Sequence, residues 1–116
     1  FKSTLEELLY ADIIIVVIDA SDHLDELRKK FKTCYTTLND IGVEVDKMVF
    51  ALNKSESLDE DEILDIVDLL ELNESKKWID ISATTQKNMN KLKEIISNIF
   101  QNDISYNKDK VWGKDV

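Results

Sequence analysis

The feature that most restricts the fold is the stretch from Asp12 to Asp19. It encloses six consecutive β-branched residues, Ile13-Ile14-Ile15-Val16-Val17-Ile18. Branching at Cβ favours extended backbone. A strand that is apolar without alternation belongs where both faces are covered, as in a parallel sheet between helices. The run is far short of the roughly 20 residues that span a bilayer. It therefore predicts a buried strand and excludes a membrane segment.

The remainder alternates between helical and strand patterns. Ser3-Thr4-Leu5-Glu6 forms a capping box ahead of a short helix over residues 3–10. Ser21 or Asp22 can cap a long helix whose stripe is Leu24, Leu27, Phe31, Cys34, Leu38 and Ile41, spaced by three or four. Gly42 follows, suited to the left-handed position past a helix end. Met48-Val49-Phe50-Ala51-Leu52 is a second strand. Four consecutive acids, Asp59 to Glu62, begin a helix that runs to about Leu72, where the helix dipole favours them. Trp78-Ile79-Asp80-Ile81, flanked by Lys76 and Lys77, has the mixed character of an edge strand. Met89, Leu92, Ile95, Ile96 and Ile99 mark a last helix over about 88–100. Residues 101–116 are polar, with Trp112 the one large anchor.

Strands alternating with helices predict an α/β fold with three layers and a parallel sheet joined by right-handed crossovers. Sequential order would leave the most apolar strand at an edge. That composition calls for a further neighbour, supplied by another chain or by sequence upstream of Phe1.

Composition narrows the chemistry. With 15 basic and 24 acidic residues the net charge is −9, which argues against gripping nucleic acid through this surface. One cysteine excludes an internal disulfide, and Cys34 with His23 is too little for a zinc site. A soluble, cytoplasmic chain with no membrane partner is expected. Gly42 and Gly113 are the only glycines, so a glycine-rich phosphate loop cannot be built. Asp19 and Ser21 read as strand-end and capping residues, His23 as an exposed first-turn residue, and Cys34 as core. The acids at 59–62 read as a solvated helix start, with no catalytic or metal-ligating residue assigned.

Ligands of open parallel sheets sit at the carboxyl ends of the strands. Three polar clusters fall there: Asp19-Ala20-Ser21, Asn53-Lys54-Ser55-Glu56 and Ser82-Ala83-Thr84. The second resembles the Asn-Lys-x-Asp motif that recognises guanine in GTPases. Guanine offers N1–H and an exocyclic amine on one edge, and a carboxylate accepts both as a forked pair. Adenine has a bare lone pair at N1 and is repelled. Asn53 would tie its loop to its neighbours and reach the base, with the Lys54 stem along the ring plane. Ser82-Ala83 resembles the Ser-Ala element, in which a backbone N–H meets the guanine carbonyl oxygen and the serine steadies the carboxylate. Either cluster alone is a common loop or cap. Their joint placement at two strand ends separated by one helix favours a base site.

Phe1-Lys2-Ser3-Thr4-Leu5-Glu6-Glu7, Ala11-Asp12 and Val17-Ile18-Asp19-Ala20-Ser21-Asp22, together with these two loops, resemble the HflX-type GTPases over residues 1–100. The resemblance implies half of a Ras-like P-loop GTPase domain, its strands four to six, followed by a polar tail over 101–116. It implies GTP or GDP as ligand at Asn53, Lys54, Glu56, Ser82, Ala83 and Thr84. It also implies a parent that hydrolyses GTP and associates with the large ribosomal subunit, with Mg²⁺ and the phosphates held by a missing N-terminal half. Two departures stand out. Glu56 replaces the usual aspartate, and Gln86-Lys87-Asn88 stands where a glycine-rich turn is usual. The alternative is a non-catalytic α/β interaction module. A phosphoacceptor receiver domain built on Asp19 is disfavoured, because its acidic pair and later lysine do not fall in order.

Overall fold

The computed structural model describes residues 7–72 and 76–106. Three parallel strands, β1 (Ile14–Asp19), β2 (Met48–Asn53) and β3 (Lys77–Asp80), pair in the order β1-β2-β3. Helices α1 (Leu24–Ile41) and α2 (Glu60–Leu69) cover one face, packing Leu27, Leu38, Ile63, Ile66 and Val67 onto Val16, Ile18, Met48, Phe50 and Leu52. Helix α3 (Met89–Tyr106) covers the other, packing Leu92, Ile95 and Ile96 onto Val49, Ala51 and Ile81. The result is the expected three-layer α/β arrangement.

β2 is the axis of this core. Met48 to Leu52 are all buried, whichever face they point to, because helices stand on both sides. Phe50 meets the rings of Phe31 and Tyr35 at centroid separations of 5.4 and 6.3 Å. β3 is the edge strand its mixed composition predicts, half-buried throughout. β1 departs from expectation. Val16 and Ile18 are buried under α1, but Ile15 and Val17 on the opposite face are 41% and 62% exposed. α3 lies over β2 and β3 and leaves Ile15 and Val17 open.

The helices end largely where local chemistry stops them. Gly42 takes φ 106°, and its N–H bonds the carbonyls of Leu38 and Asn39 while Val43 N–H bonds Leu38 as well. α2 starts at a capping box within the run of acids: Asp59 accepts from Glu62 N–H at 2.8 Å and Glu62 accepts from Asp59 N–H at 3.2 Å. α3 continues past Phe100 to Tyr106. Glu7–Tyr10 is a single 3₁₀ turn, whereas Ser3, Glu6 and Trp112 lie outside the described residues.

Five side chains correct the reading of α1. Its N-cap is His23, exposed and making no side-chain cap. The helix starts at Leu24, past both cap candidates, and Ser21 instead donates to Asp19 while Asp22 pairs with Lys30 at 2.9 Å. Cys34 is exposed, not core, and Leu24 is 51% exposed. The helical spacing is right, but the apolar stripe is wider than the surface packed against it.

Candidate functional site

The register sets Asp19 opposite Asn53 and Leu52 opposite Asp80, so the three strands end level with one another. Pairing then continues into the loops. Ile81 N–H donates to Leu52 O at 2.8 Å, Ser55 N–H to Ile81 O at 3.1 Å, and Ala20 N–H to Asn53 O at 2.9 Å. The clusters at 19–21, 53–56 and 82–84 are thereby stitched into one rim.

Asn53 forms the central tie. Its Oδ1 accepts from Ala83 N–H at 3.1 Å, across thirty residues of sequence. That contact fixes the orientation of the amide, directing the oxygen to Ala83 and leaving the NH₂ group as a donor. It also uses the Ala83 N–H, while the Thr84 N–H has no partner among the described residues. Ser82 is fully buried, and its hydroxyl oxygen accepts from Thr85 N–H at 3.0 Å, so it secures its own turn rather than meeting Glu56. Glu56 is exposed, within the 3₁₀ turn Ser55–Ser57.

Lys54 starts that turn in the left-handed region, at φ 64° and ψ 31°. Its Nζ reaches back to Asp19 Oδ2 at 2.8 Å. The other carboxylate oxygen, Oδ1, accepts from Ser21 N–H at 3.0 Å and Ser21 Oγ at 2.6 Å. These donors, Lys54 first and Ser21 second, hold the Asp19 carboxyl down to about 2, from an ordinary 3.8. The same ion pair raises Lys54. Asp19 is thus more than a strand-end residue, and nothing in the linear sequence shows that Lys54 turns back onto it.

The loop after β3 closes without glycine. Gln86 and Asn88 both adopt positive φ, 67° and 59°. Asn88 Nδ2 donates to Asp80 O at 2.8 Å, Gln86 Nε2 to Ala83 O at 2.8 Å, and Ser82 N–H to Lys87 O at 3.1 Å. Lys87 pairs with Asp80 at 3.1 Å. These bonds hold the backbone where glycine would adopt it freely.

Ser55, between Lys54 and Glu56, is fully buried, and its hydroxyl has no partner among the described residues. A cleft of about 600 Å³ between α1 and the end of α2, lined by Arg28, Phe31, Tyr35 and Lys76 among others, shares no residue with the rim. No group of three or more His, Cys, Asp or Glu able to hold a metal ion occurs among the described residues.

No protein-family profile matches the chain. It is similar to proteins named GTPase HflX: 32% identical over 106 residues to that of Lacrimispora saccharolytica, covering 91% of this chain and 23% of the relative. The Methanocaldococcus jannaschii protein is 32% identical over 99 residues, covering 83% and 23%. That of Thermococcus kodakarensis is 37% identical over 60 residues, covering 52% and 14%. The chain thus spans between about a seventh and a quarter of the length of these relatives. Among solved structures, a GTP-binding protein of Sulfolobus solfataricus in complex with GDP superposes with a TM-score of 0.70 at 30% identity, over 84% of this chain and 33% of that one. A structure described as an SsGBP and GDP complex gives the same TM-score at 29% identity, over 84% and 31%.

Proposed function

We propose that this chain, similar to HflX-type GTPases over most of its length and folded as half of a P-loop GTPase domain, is the guanine-recognising half of a GTP-binding protein. One observation carries the proposal. The Asn53–Ala83 hydrogen bond fastens the two base loops to each other before any ligand arrives. In this reading the Asn53 amide NH₂ donates to the purine N7, and the Thr84 N–H meets the guanine carbonyl oxygen. The Glu56 carboxylate accepts from N1–H and the exocyclic amine, and the Lys54 stem lies along the ring. Hydrogen bonds to a charged group contribute about 1.5–3 kcal/mol each, so the Glu56 fork dominates selectivity over adenine. Glu56 carries one methylene more than aspartate, and its exposed position in the 3₁₀ turn leaves room for the loop to adjust.

The same resemblance extends the proposal to the whole protein: hydrolysis of GTP with Mg²⁺, a cytoplasmic setting, and association with the large ribosomal subunit. The described residues offer no cluster for Mg²⁺, so no chemical step is assigned to them. Phosphates and metal belong to the other half of such a domain, and the open edge of β1 is where its strand would pair.

The test is a titration of the chain with GDP and ADP, followed by amide chemical shifts. Weak binding of GDP, shifts centred on residues 53–56 and 82–84, and ADP at least tenfold weaker are expected; Glu56→Ala should abolish the difference. Equal response to both nucleotides, or none to either, removes the proposal. Absence of any response would favour the second reading, a protein-interaction module, for which the exposed Ile15 and Val17 beside a free strand edge are the supporting observation.

A further inference from the structure

We propose that Asp19 is a positioning residue for the base site, holding Lys54 by its head so that the lysine stem is set in place before nucleotide arrives. The inference rests on the base-recognition reading above. Its basis is how the carboxylate divides its two oxygens. Oδ1 is occupied by Ser21, through both N–H and Oγ, and maintains the turn after β1. Oδ2 is left to Lys54 Nζ at 2.8 Å.

The geometry makes that second contact a clamp. Asp19 and Asn53 are paired neighbours at the ends of β1 and β2, about 4.8 Å apart as adjacent strands are. Lys54 follows Asn53 in a left-handed conformation that a lysine rarely adopts, and its head is carried back to β1. The four-carbon stem therefore bridges two strand ends along the rim. A free lysine loses much rotamer freedom when a ring is laid against it. Here that loss is met in the folded chain, and the ammonium already has its counter-charge. Ser21 supports the arrangement by filling Oδ1, which leaves the carboxylate little freedom to rotate away.

Asp19→Asn separates this role from support of the turn. The amide oxygen still accepts from Ser21, whereas the amide NH₂ faces Lys54 and cannot bind it. In the GDP titration of the full chain, Asp19→Asn is expected to weaken binding roughly two- to tenfold, the range for leaving one long side chain unordered before association. The Lys54 side-chain ¹³C signals should sharpen as the head is released. Asp19→Glu, which restores the charge, should recover part of the loss. On a Lys54→Met background, Asp19→Asn should cause no further loss. Undiminished GDP binding by Asp19→Asn, or an equal loss on the Lys54→Met background, overturns the positioning role while leaving base recognition intact. Should Asp19→Asn fail to fold, Lys54→Met alone decides: it is expected to weaken GDP binding by the same factor, and unchanged binding rejects the clamp. A wild-type chain with no guanine-dependent response removes both readings, and is recognised because no variant is then needed to see it.

Discussion

The two sides of β2 differ sharply. Toward β3 the sheet is finished: α3 covers Val49, Ala51 and Ile81, the ladder runs on into the loops, and Asn53 is bonded to Ala83. Toward the outer edge, β1 has no strand neighbour among the described residues and presents two exposed branched side chains, Ile15 and Val17. Open apolar edges of this kind invite pairing, and natural proteins rarely leave them bare. The one charge of β1, Asp19, stands at its end and is turned to Lys54, and neither a bulge nor a proline interrupts the strand. The contrast teaches that the base rim is self-contained, whereas the strand beside it is shaped for a neighbour.

A pair of substitutions tests that contrast most strongly. Phe50 is fully buried on β2 against Phe31 and Tyr35, and Phe50→Ala should cost about 3–5 kcal/mol in urea unfolding. Val17→Thr, on the exposed face of β1, should stay within about 0.5 kcal/mol. A loss at Val17 that approaches the one at Phe50, and grows with protein concentration, would mean that this face is covered in solution.

Within the finished side, smaller changes should show where the rim is under strain. The buried Ser55 hydroxyl has lost water without gaining a partner among the described residues, a state that costs about 1–3 kcal/mol. Ser55→Ala retains the N–H bond to Ile81 and should raise stability by about 1 kcal/mol. Destabilisation of similar size would show that the hydroxyl is bonded after all. Gln86→Gly relieves a positive φ that costs about 1 kcal/mol for a side chain with a Cβ, but forfeits the bond from Nε2 to Ala83 O. A net gain of a few tenths of a kcal/mol is expected, read from the same unfolding curves. A loss above 1 kcal/mol would make that side-chain bond the dominant tie of the loop.

Legibility of the chain followed the physics of each signal. β1 is readable from its β-branched composition, β2 from its short apolar run, and α1 from its spacing and Gly42, because these depend on local preference and burial. The two base loops were readable as neighbours because strands of one parallel sheet end together. Burial of β1 was misjudged for the same reason that made it conspicuous: composition records the covering a strand is adapted to, and none of the described helices supplies it over Ile15 and Val17. The start of α1 at Leu24 rather than next to Ser21 or Asp22 has no local signal, since both residues are good cap formers whose contacts to Asp19 and Lys30 exist only in three dimensions. The capping box at Asp59 and Glu62 was legible as Asp-x-x-Glu, and was obscured by the run of acids around it. Left-handed backbone at Lys54, Gln86 and Asn88 has no sequence signature as plain as glycine.

The smallest effect concerns acid. The Asp19 carboxyl ionises near 2 in the folded chain and 3.8 is its ordinary value, so folding favours the charged form. Stability from this source is fully present above the unfolded value, and is lost as pH falls from about 4 through about 2. The Asp19 side chain is 36% exposed and that of Lys54 55%, so water and salt screen the pair and its contribution to stability is small. Wild-type and Asp19→Asn chains should therefore differ slightly between pH 5 and 7, less at pH 3, least at pH 2, and not at all well below it. A difference that stays constant down to pH 2 would assign the effect of the substitution to the turn at Ser21, which either side chain can accept from, and not to the charge that reaches Lys54.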